Sequence, residues 1–140
     1  LKTEVKMAII NKLDCGAVAD GKTSCTAAIK TAIDKCAENG GGTVFVPAGT
    51  YLTGPIFLKS NINLNLEAGA TLLFSNDIEE YPVVTSRWEG VKQDCYASLI
   101  NADNCENISI TGRGTLDGQG AFWWKIFRAK ENKYPRPKMI

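Results

Sequence analysis

Arg87, Trp88 and Glu89 are consecutive and form the strongest candidate for a ligand-binding site in this sequence. An arginine guanidinium binds a carboxylate through two parallel hydrogen bonds, and an indole offers a flat apolar face to a ligand. Glu89 adds an acid beside them. We therefore predict that these three residues bind substrate. The competing interpretation is structural: a buried Trp88 pins a surface loop, and Arg87 forms an ion pair with Glu89.

Four further carboxylates are candidates for an acid or base catalyst, namely Glu79, Glu80, Asp94 and Asp117. The adjacent Glu79 and Glu80 are typical of a solvated surface pair. Asp117 precedes a glycine-rich turn, where a short carboxylate accepts backbone N–H groups. The sequence has no histidine, which excludes Ser-His-Asp and Cys-His sites within these residues. We therefore assign no catalytic residue.

The cysteines lack the spacing of a metal or redox site. They are Cys15, Cys25, Cys36, Cys95 and Cys105. No pair has the Cys-x-x-Cys spacing, so the sequence gives little support for a zinc site or a thioredoxin-like redox site. We predict no metal ion and no cofactor, and we interpret the thiols as buried or half-buried groups that act as small hydrophobes. One or two disulfides remain the alternative for an exported protein.

The charge balance excludes some classes of partner. The 140 residues include 16 basic and 15 acidic side chains, for a net charge of +1. This balance gives no reason to expect nucleic acid or an acidic membrane surface as partner. No window reaches the ~18 apolar residues of a membrane span. No signal peptide is visible at the N-terminus.

One helix is predicted before a long series of strands. Its apolar positions recur at spacings of three and four: Ala28, Ile29, Ala32, Ile33 and Cys36. We expect the helix to cover about residues 24–39. Thr23 or Ser24 is the predicted N-cap, and Gly40 is the predicted left-handed residue after the C-terminus.

The period then changes to that of short strands. A strand is also expected within residues 5–13. After the helix, strands of three to five residues alternate with turns of two to four, at 43–46, 50–53, 56–58, 62–66 and 71–74. This rhythm is typical of a solenoid built from stacked coils. An antiparallel meander is the alternative, although it would show more two-residue Asn-Gly loops.

Two segments interrupt the strands. We expect a long loop over about residues 75–97, whose aromatic residues argue for function rather than disorder. Strands resume at 98–101 and 108–111, followed by a short helix over 121–130. Adjacent residues of a helix point in different directions, so one of Trp123 and Trp124 is expected in the core and the other exposed. Residues 138–140 begin a further strand.

Several motifs carry a resemblance to a known family. They are GGGTVFVPAGTY at 40–51, GPIFLKS at 54–60, LEAGA at 66–70 and GRGTLDGQG at 112–120. Together these motifs resemble the bacterial polygalacturonases of glycoside hydrolase family 28 over roughly residues 10–140. The resemblance implies an all-β fold, a right-handed single-stranded parallel β-helix forming one domain over residues 1–140. The helix would cap its N-terminal end, because an open solenoid end exposes strand edges and apolar interior.

The resemblance also implies a function. Family members hydrolyse α-1,4-galacturonosyl linkages of pectin with inversion, which needs an acid and a base about 6.5–9.5 Å apart. The family supplies the site from an Asn-x-Asp segment, an Asp-Asp pair, a Gly-His-Gly segment and an Arg-x-Lys segment. This sequence has no Asp-Asp pair and no histidine. We therefore interpret the chain as a truncated, N-terminal portion of such a hydrolase, inactive alone. Galacturonate carries one carboxylate per ring, which suits Arg87.

Two alternatives remain open. One is a non-catalytic carbohydrate-binding or structural β-helix module. The other is a pectate-lyase-like relative, although such lyases usually hold Ca²⁺ in clustered carboxylates, and no dense acidic cluster occurs.

The expected partner is pectin or an oligogalacturonide. We also predict self-association through the exposed solenoid end. The resemblance suggests a secreted or periplasmic location.

Overall fold

The computed structural model describes residues 7–12 and 15–140. The elements are β1 (Met7–Ile9), β2 (Asp20–Ser24), α1 (Thr26–Glu38), β3 (Gly42–Val46), β4 (Gly49–Thr53), β5 (Ile56–Phe57), β6 (Ile62–Leu66), β7 (Ala70–Phe74), a 3₁₀ turn (Ile78–Glu80), β8 (Val83–Trp88), β9 (Val91–Tyr96), β10 (Ile100–Asn101), β11 (Ser109–Gly112), β12 (Thr115–Asp117) and α2 (Gly120–Arg128). The strand expected within 5–13 is seen as β1, and residues 5, 6 and 13 lie outside the described residues. No helix in the described ranges is long and apolar enough to cross a membrane.

The coil strands stack into parallel sheets. In the described ranges these sheets have the orders β1-β3-β6-β11, β2-β4-β7-β12 and β5-β10. The chain visits the three sheets in turn and returns one strand further along each time. Crossovers between parallel strands are right-handed in nearly all proteins. The molecule is a right-handed parallel β-helix, as the resemblance predicted, and the antiparallel meander is excluded for the coils.

The interior of the coils is filled by aliphatic side chains in register. Both β6 and β7 alternate between fully buried and half-buried residues, since side chains of a strand point alternately to its two faces. Val44 pairs with Leu64, and Leu64 pairs with Ile110 on the next coil. Identical faces therefore lie above one another, and the core continues from coil to coil.

Helix α1 covers the N-terminal end of this core, within the predicted range. Its buried face includes Ile29 and Ile33. The predicted N-cap is wrong: Cys25 holds the N-cap position without a side-chain hydrogen bond, because Ser24 belongs to β2. The Thr26 hydroxyl instead accepts from the Gly54 N–H at 2.8 Å, which ties the helix to the first coil.

The C-terminal end of α1 and the cysteines agree with expectation. Gly40 has a φ of 85°, and the Gly41 N–H donates to the Cys36 carbonyl at 2.9 Å, which completes a left-handed C-terminal motif. Among the described residues the cysteines form no disulfide. Burial raises the pKa of the Cys25 and Cys36 thiols, so these side chains behave as small apolar groups.

Two long segments leave the coils at one corner, where the chain passes from the second sheet to the third. In the first coil that has a strand in all three sheets, formed by β3, β4 and β5, this corner consists only of Gly54 and Pro55. In the next two coils it grows into residues 75–99 and 118–137, which we call the first and second corner segments. Residues 138–140 do not form the predicted strand, although they return beside β10, where the Ile100 N–H donates to the Met139 carbonyl at 3.0 Å.

The first corner segment differs from the open loop expected at 75–97. It contains a 3₁₀ turn and the antiparallel hairpin β8–β9. Glu89 and Gly90 form its two-residue turn with φ values of 50° and 82°, as a type I′ hairpin turn requires. The period-two pattern of β8 is concealed because its half-buried positions are Val84, Ser86 and Trp88, only partly apolar.

Candidate functional site

The structure separates the three predicted binding residues. Arg87 and Trp88 are consecutive in β8, so their side chains lie on opposite faces of the hairpin, and Glu89 lies in the turn. Trp88 is half-buried, whereas Arg87 and Glu89 are exposed. Neither part of the competing interpretation describes this arrangement. Trp88 is not fully buried, and no ion pair joins Arg87 to Glu89 in the described chain.

Trp88 faces a cleft formed where the two corner segments meet. The cleft has a volume of about 240 Å³. Its lining includes Trp123 and Phe127 of α2, and Tyr134 and Arg136 of the segment that follows. The Arg136 Cζ atom lies over the Trp88 ring, 5.1 Å from its centroid. The sequence prediction therefore found one of the residues lining this cleft.

A cluster of aromatic rings supports the base of the cleft. Trp123 is 3% exposed and packs edge-on against Tyr81, with ring centroids 5.3 Å apart. Tyr96 contacts both Trp123 and Tyr134, at centroid distances of 5.9 and 5.4 Å. Each aromatic pair in such a geometry stabilises the folded state by about 0.5–1.5 kcal/mol, in addition to the gain from burying its apolar area. The cluster therefore packs α2 against the base of the hairpin and stabilises this contact.

Hydrogen bonds fix the same contact. The Tyr96 N–H donates to the Pro135 carbonyl at 3.3 Å, and the Lys138 ammonium donates to the Arg87 carbonyl. The Tyr81 hydroxyl donates to the Ser75 carbonyl at 2.5 Å. Burial, with a smaller effect of the neighbouring Glu80, raises the pKa of Tyr81 well above its ordinary value. Tyr81 therefore remains a neutral hydrogen-bond donor.

The two predicted tryptophans of α2 have the expected division of roles. Trp123 lies in the core, and Trp124 is 52% exposed. Trp124 stacks on Phe127 with centroids 5.5 Å apart, and Arg128 Cζ lies 5.6 Å from the Trp124 centroid. The outer face of α2 is thus aromatic and basic as well.

Positive charge is concentrated beside the cleft. Residues 120–140 contain six basic side chains and one acidic, Glu131, whereas residues 1–119 contain ten basic and fourteen acidic. The near-neutral total conceals this asymmetry. A window of charge along the sequence would have revealed it.

A larger cavity lies elsewhere, between α1 and the first-coil corner, with a volume of about 500 Å³. Its lining includes the apolar residues Ile29, Ile33 and Phe57. Its two lysines, Lys30 and Lys59, both form ion pairs with Asp34, at 2.8 and 2.7 Å. Its other polar lining residues are Ser24, Thr26 and Glu80, and the Glu80 Oε2 atom is buried without a hydrogen-bond partner among the described residues.

Comparison with known proteins places the chain in a family. Residues 9–112 match the sequence profile of the family described as rhamnogalacturonase A/epimerase, pectate lyase-like. The chain belongs to this family. The resemblance to polygalacturonases is also confirmed.

Named relatives of the family are similar over nearly the whole chain. A probable polygalacturonase of Vitis vinifera is 39% identical over 137 residues, which are 91% of this chain and 28% of the relative. An exo-poly-alpha-D-galacturonosidase of Dickeya chrysanthemi is 42% identical over 131 residues, 88% of this chain and 21% of the relative. The crystal structure of a hyperthermoactive exopolygalacturonase from Thermotoga maritima superposes with a TM-score of 0.81 at 39% identity, covering 96% of this chain and 31% of that one. The chain thus spans about a quarter of the length of these curated relatives.

The four carboxylates considered as catalysts lie on three different elements: Glu79 and Glu80 in the 3₁₀ turn, Asp94 in β9 and Asp117 in β12. Asp117 accepts from the Gln119 N–H at 2.9 Å, the structural role predicted for it. Asp94 accepts from the Thr85 hydroxyl at 3.1 Å on the hairpin. Glu79 is exposed, and the half-buried Glu80 lines the larger cavity. No group of three or more potential metal ligands occurs among the described residues.

Short matches to the family motifs escaped the sequence prediction. Asn101 and Asp103 flank Ala102 in an Asn-x-Asp pattern, and Arg128 with Lys130 and Arg136 with Lys138 form Arg-x-Lys patterns. The Asn101 side chain is occupied in the corner, donating to the Ile56 and Ser98 carbonyls. Without an Asp-Asp pair these matches do not make a hydrolytic site.

Proposed function

We propose that this chain supplies the N-terminal coils of a glycoside hydrolase that cleaves α-1,4-galacturonosyl linkages of pectin or polygalacturonate with inversion. The acid and base catalysts would lie on later coils. The observation that carries the proposal is the 39–42% identity to polygalacturonases across most of the chain, together with the superposition on an exopolygalacturonase.

We further propose that Arg87, Trp88 and Glu89 at the hairpin tip contact the substrate. Trp88 would offer its ring to a sugar from within the cleft. Arg87 and Glu89 are exposed, so they would meet sugars outside it. Such a tip would help to close one end of a binding cleft.

The test is enzymatic and compares two chains. The product of the whole reading frame that contains this sequence is assayed for new reducing ends on polygalacturonate. The anomer first released is identified by proton NMR. We expect hydrolysis with inversion by the longer product and none by the 140 residues alone.

Other outcomes would contradict the proposal in distinct ways. Hydrolysis by the 140-residue chain would place catalysts within it. An unsaturated product detected by its ultraviolet absorbance would indicate a lyase. A reading frame without an Asp-Asp pair, giving saturable oligogalacturonide binding and no turnover, would indicate a binding module.

We also propose that the 140-residue chain self-associates through its last coil. Ile108, Met139 and Ile140 are 37%, 41% and 69% exposed, and Ile140 borders an apolar cleft with Leu58 and Ile100. Uncovered strand edge beside apolar surface favours association. Light scattering over a concentration series should show a rising mean mass, and a constant monomer mass would contradict this.

A further inference from the structure

We propose that the cleft between the two corner segments is a subsite for a single uronic acid residue, in which Arg136 binds the carboxylate. This inference rests on the proposed function for the identity of the sugar, and it names the residue that would recognise it. It differs from the sequence prediction, which gave that role to Arg87.

The size of the cleft suits one sugar ring. Its volume of about 240 Å³ is below the range of about 300–1,000 Å³ that is typical for drug-sized ligands. Trp88 on the hairpin and Trp123 on α2 both line it, so a ring would meet aromatic surface contributed by both corner segments. Aromatic surface is the usual contact for the C–H face of a sugar.

Two side chains of the cleft have N–H donors without a hydrogen-bond partner among the described residues, whereas the Asn132 side chain donates to the Tyr134 carbonyl at 3.3 Å. Arg136 makes no side-chain hydrogen bond or ion pair with any described residue, and its guanidinium lies over the Trp88 ring. A guanidinium that contacts a ring through its π system keeps its N–H donors available for a carboxylate. Trp123 Nε1 is buried and has no hydrogen-bond partner among the described residues.

The surroundings favour an anion. Lys133 lines the same cleft, and its ammonium lies 5.5 Å from the centroid of the Tyr134 ring. The excess of positive charge in residues 120–140 acts in the same direction. A neutral sugar would gain the aromatic contacts alone, whereas a uronate would also gain a charge-assisted pair.

Arg87 is less suited to this role. It precedes Trp88 directly in β8, so its side chain lies on the face of the hairpin away from the cleft. Its backbone carbonyl accepts from the Lys138 ammonium, which holds the hairpin edge against the chain that carries Arg136.

The experiment titrates the 140-residue chain, at a concentration where light scattering shows a constant mass, with D-galacturonate, digalacturonate and galactose. Tryptophan fluorescence and calorimetry report binding. We expect saturable galacturonate binding with a dissociation constant on the order of a millimolar, and binding of galactose at least tenfold weaker. Binding should weaken as salt is raised, because the pair is solvent-accessible.

Variants assign the anion contact. Arg136→Gln should weaken galacturonate binding by about tenfold or more, and Arg136→Lys by a smaller factor, because lysine keeps the charge and loses the two-pronged geometry. Arg113→Gln is the matched control, since Arg113 is exposed on a turn between β11 and β12. Far-UV circular dichroism verifies that each variant is folded.

Three results would overturn the inference: equal affinity for galactose and galacturonate, unchanged affinity in folded Arg136→Gln, or equal losses in Arg136→Gln and Arg113→Gln. The proposed function fails separately. If the longer product hydrolyses polygalacturonate with a KM that Arg136→Gln leaves unchanged, the function stands and the subsite falls. If no hydrolysis occurs and the chain still binds galacturonate through Arg136, the subsite stands and the function falls.

Discussion

The coils and the corner segments are built on different physical principles. The coils are parallel, with aliphatic residues such as Val44 and Leu64 stacked in register. The corner segments contain an antiparallel hairpin and a helix, held together by the rings of Tyr81, Tyr96 and Trp123. Repetition stabilises the coils, since each coil buries the face of the one before. The corner segments are stabilised by the packing of these rings between the hairpin and α2, and the cleft lies where the two segments meet.

The largest expected effect tests how closely the coils stack. Gly112 has a φ of 102°, and a Cβ there would lie 2.0 Å from the Leu66 carbonyl oxygen. Gly112→Ala should therefore lower the free energy of unfolding by more than about 3 kcal/mol or prevent folding, because backbone of the adjacent coil must move. Urea denaturation followed by far-UV circular dichroism measures it.

Gly40→Ala is the matched control for that substitution. Gly40 also has a positive φ, of 85°, but a Cβ there would meet nothing within 4 Å. Only the left-handed backbone then opposes alanine, at a cost of about 1–2 kcal/mol. Equal losses in the two variants would show that coil stacking is looser than the structure indicates.

An intermediate effect on stability is expected for a tyrosine of the corner segments, and it is compared with the effect for a tyrosine of the coils. The Tyr81 hydroxyl donates to the Ser75 carbonyl in the first corner segment, whereas the buried Tyr51 hydroxyl in β4 has no partner among the described residues. Tyr81→Phe should cost about 1–2 kcal/mol, because a buried carbonyl loses its donor. Tyr51→Phe should be neutral or slightly stabilising. Thermal and urea unfolding of both variants test this, and a larger loss for Tyr51→Phe would reverse the interpretation.

The smallest effect concerns paired and unpaired surface charge. Hydrogen bonds from Lys30 and then Lys59 hold the pKa of Asp34 below its ordinary value of 3.8. This stabilisation is therefore present above the unfolded-state pKa and is lost as pH falls through the lower folded-state pKa. Asp34→Asn should cost a few tenths to about 1 kcal/mol at neutral pH, since the pairs are largely exposed.

The difference between wild type and Asp34→Asn should shrink below about pH 4 and in about 1 M salt. Arg87→Gln is the control, and its stability should differ from that of wild type by an amount that does not depend on pH or salt. No ion pair of the described residues involves Arg87. A pH-independent difference would mean that Asp34 acts through packing rather than charge.

The coils were largely predictable from the sequence, and the corner segments were not. Alternation in Ile62–Leu66 and the glycine run before β3 identified strands and the end of α1 because both signals are local. The hairpin was missed because Ser86 interrupts the apolar pattern of β8. The helix N-cap was missed because Ser24 belongs to β2 and pairs with Leu52 of β4, which is 28 residues away in the chain.

By itself the sequence determined the solenoid, its capping helix and the family resemblance, since strand period and turn residues act over a few neighbouring positions. Only the tertiary structure decided which side chains meet at the corner. It separated Arg87 from Trp88 through the pleat of one strand, and it brought Arg136 to Trp88 across 48 residues of sequence. The physical reason is that stacking of coils aligns segments that begin at the same corner, and this alignment has no signature within either segment.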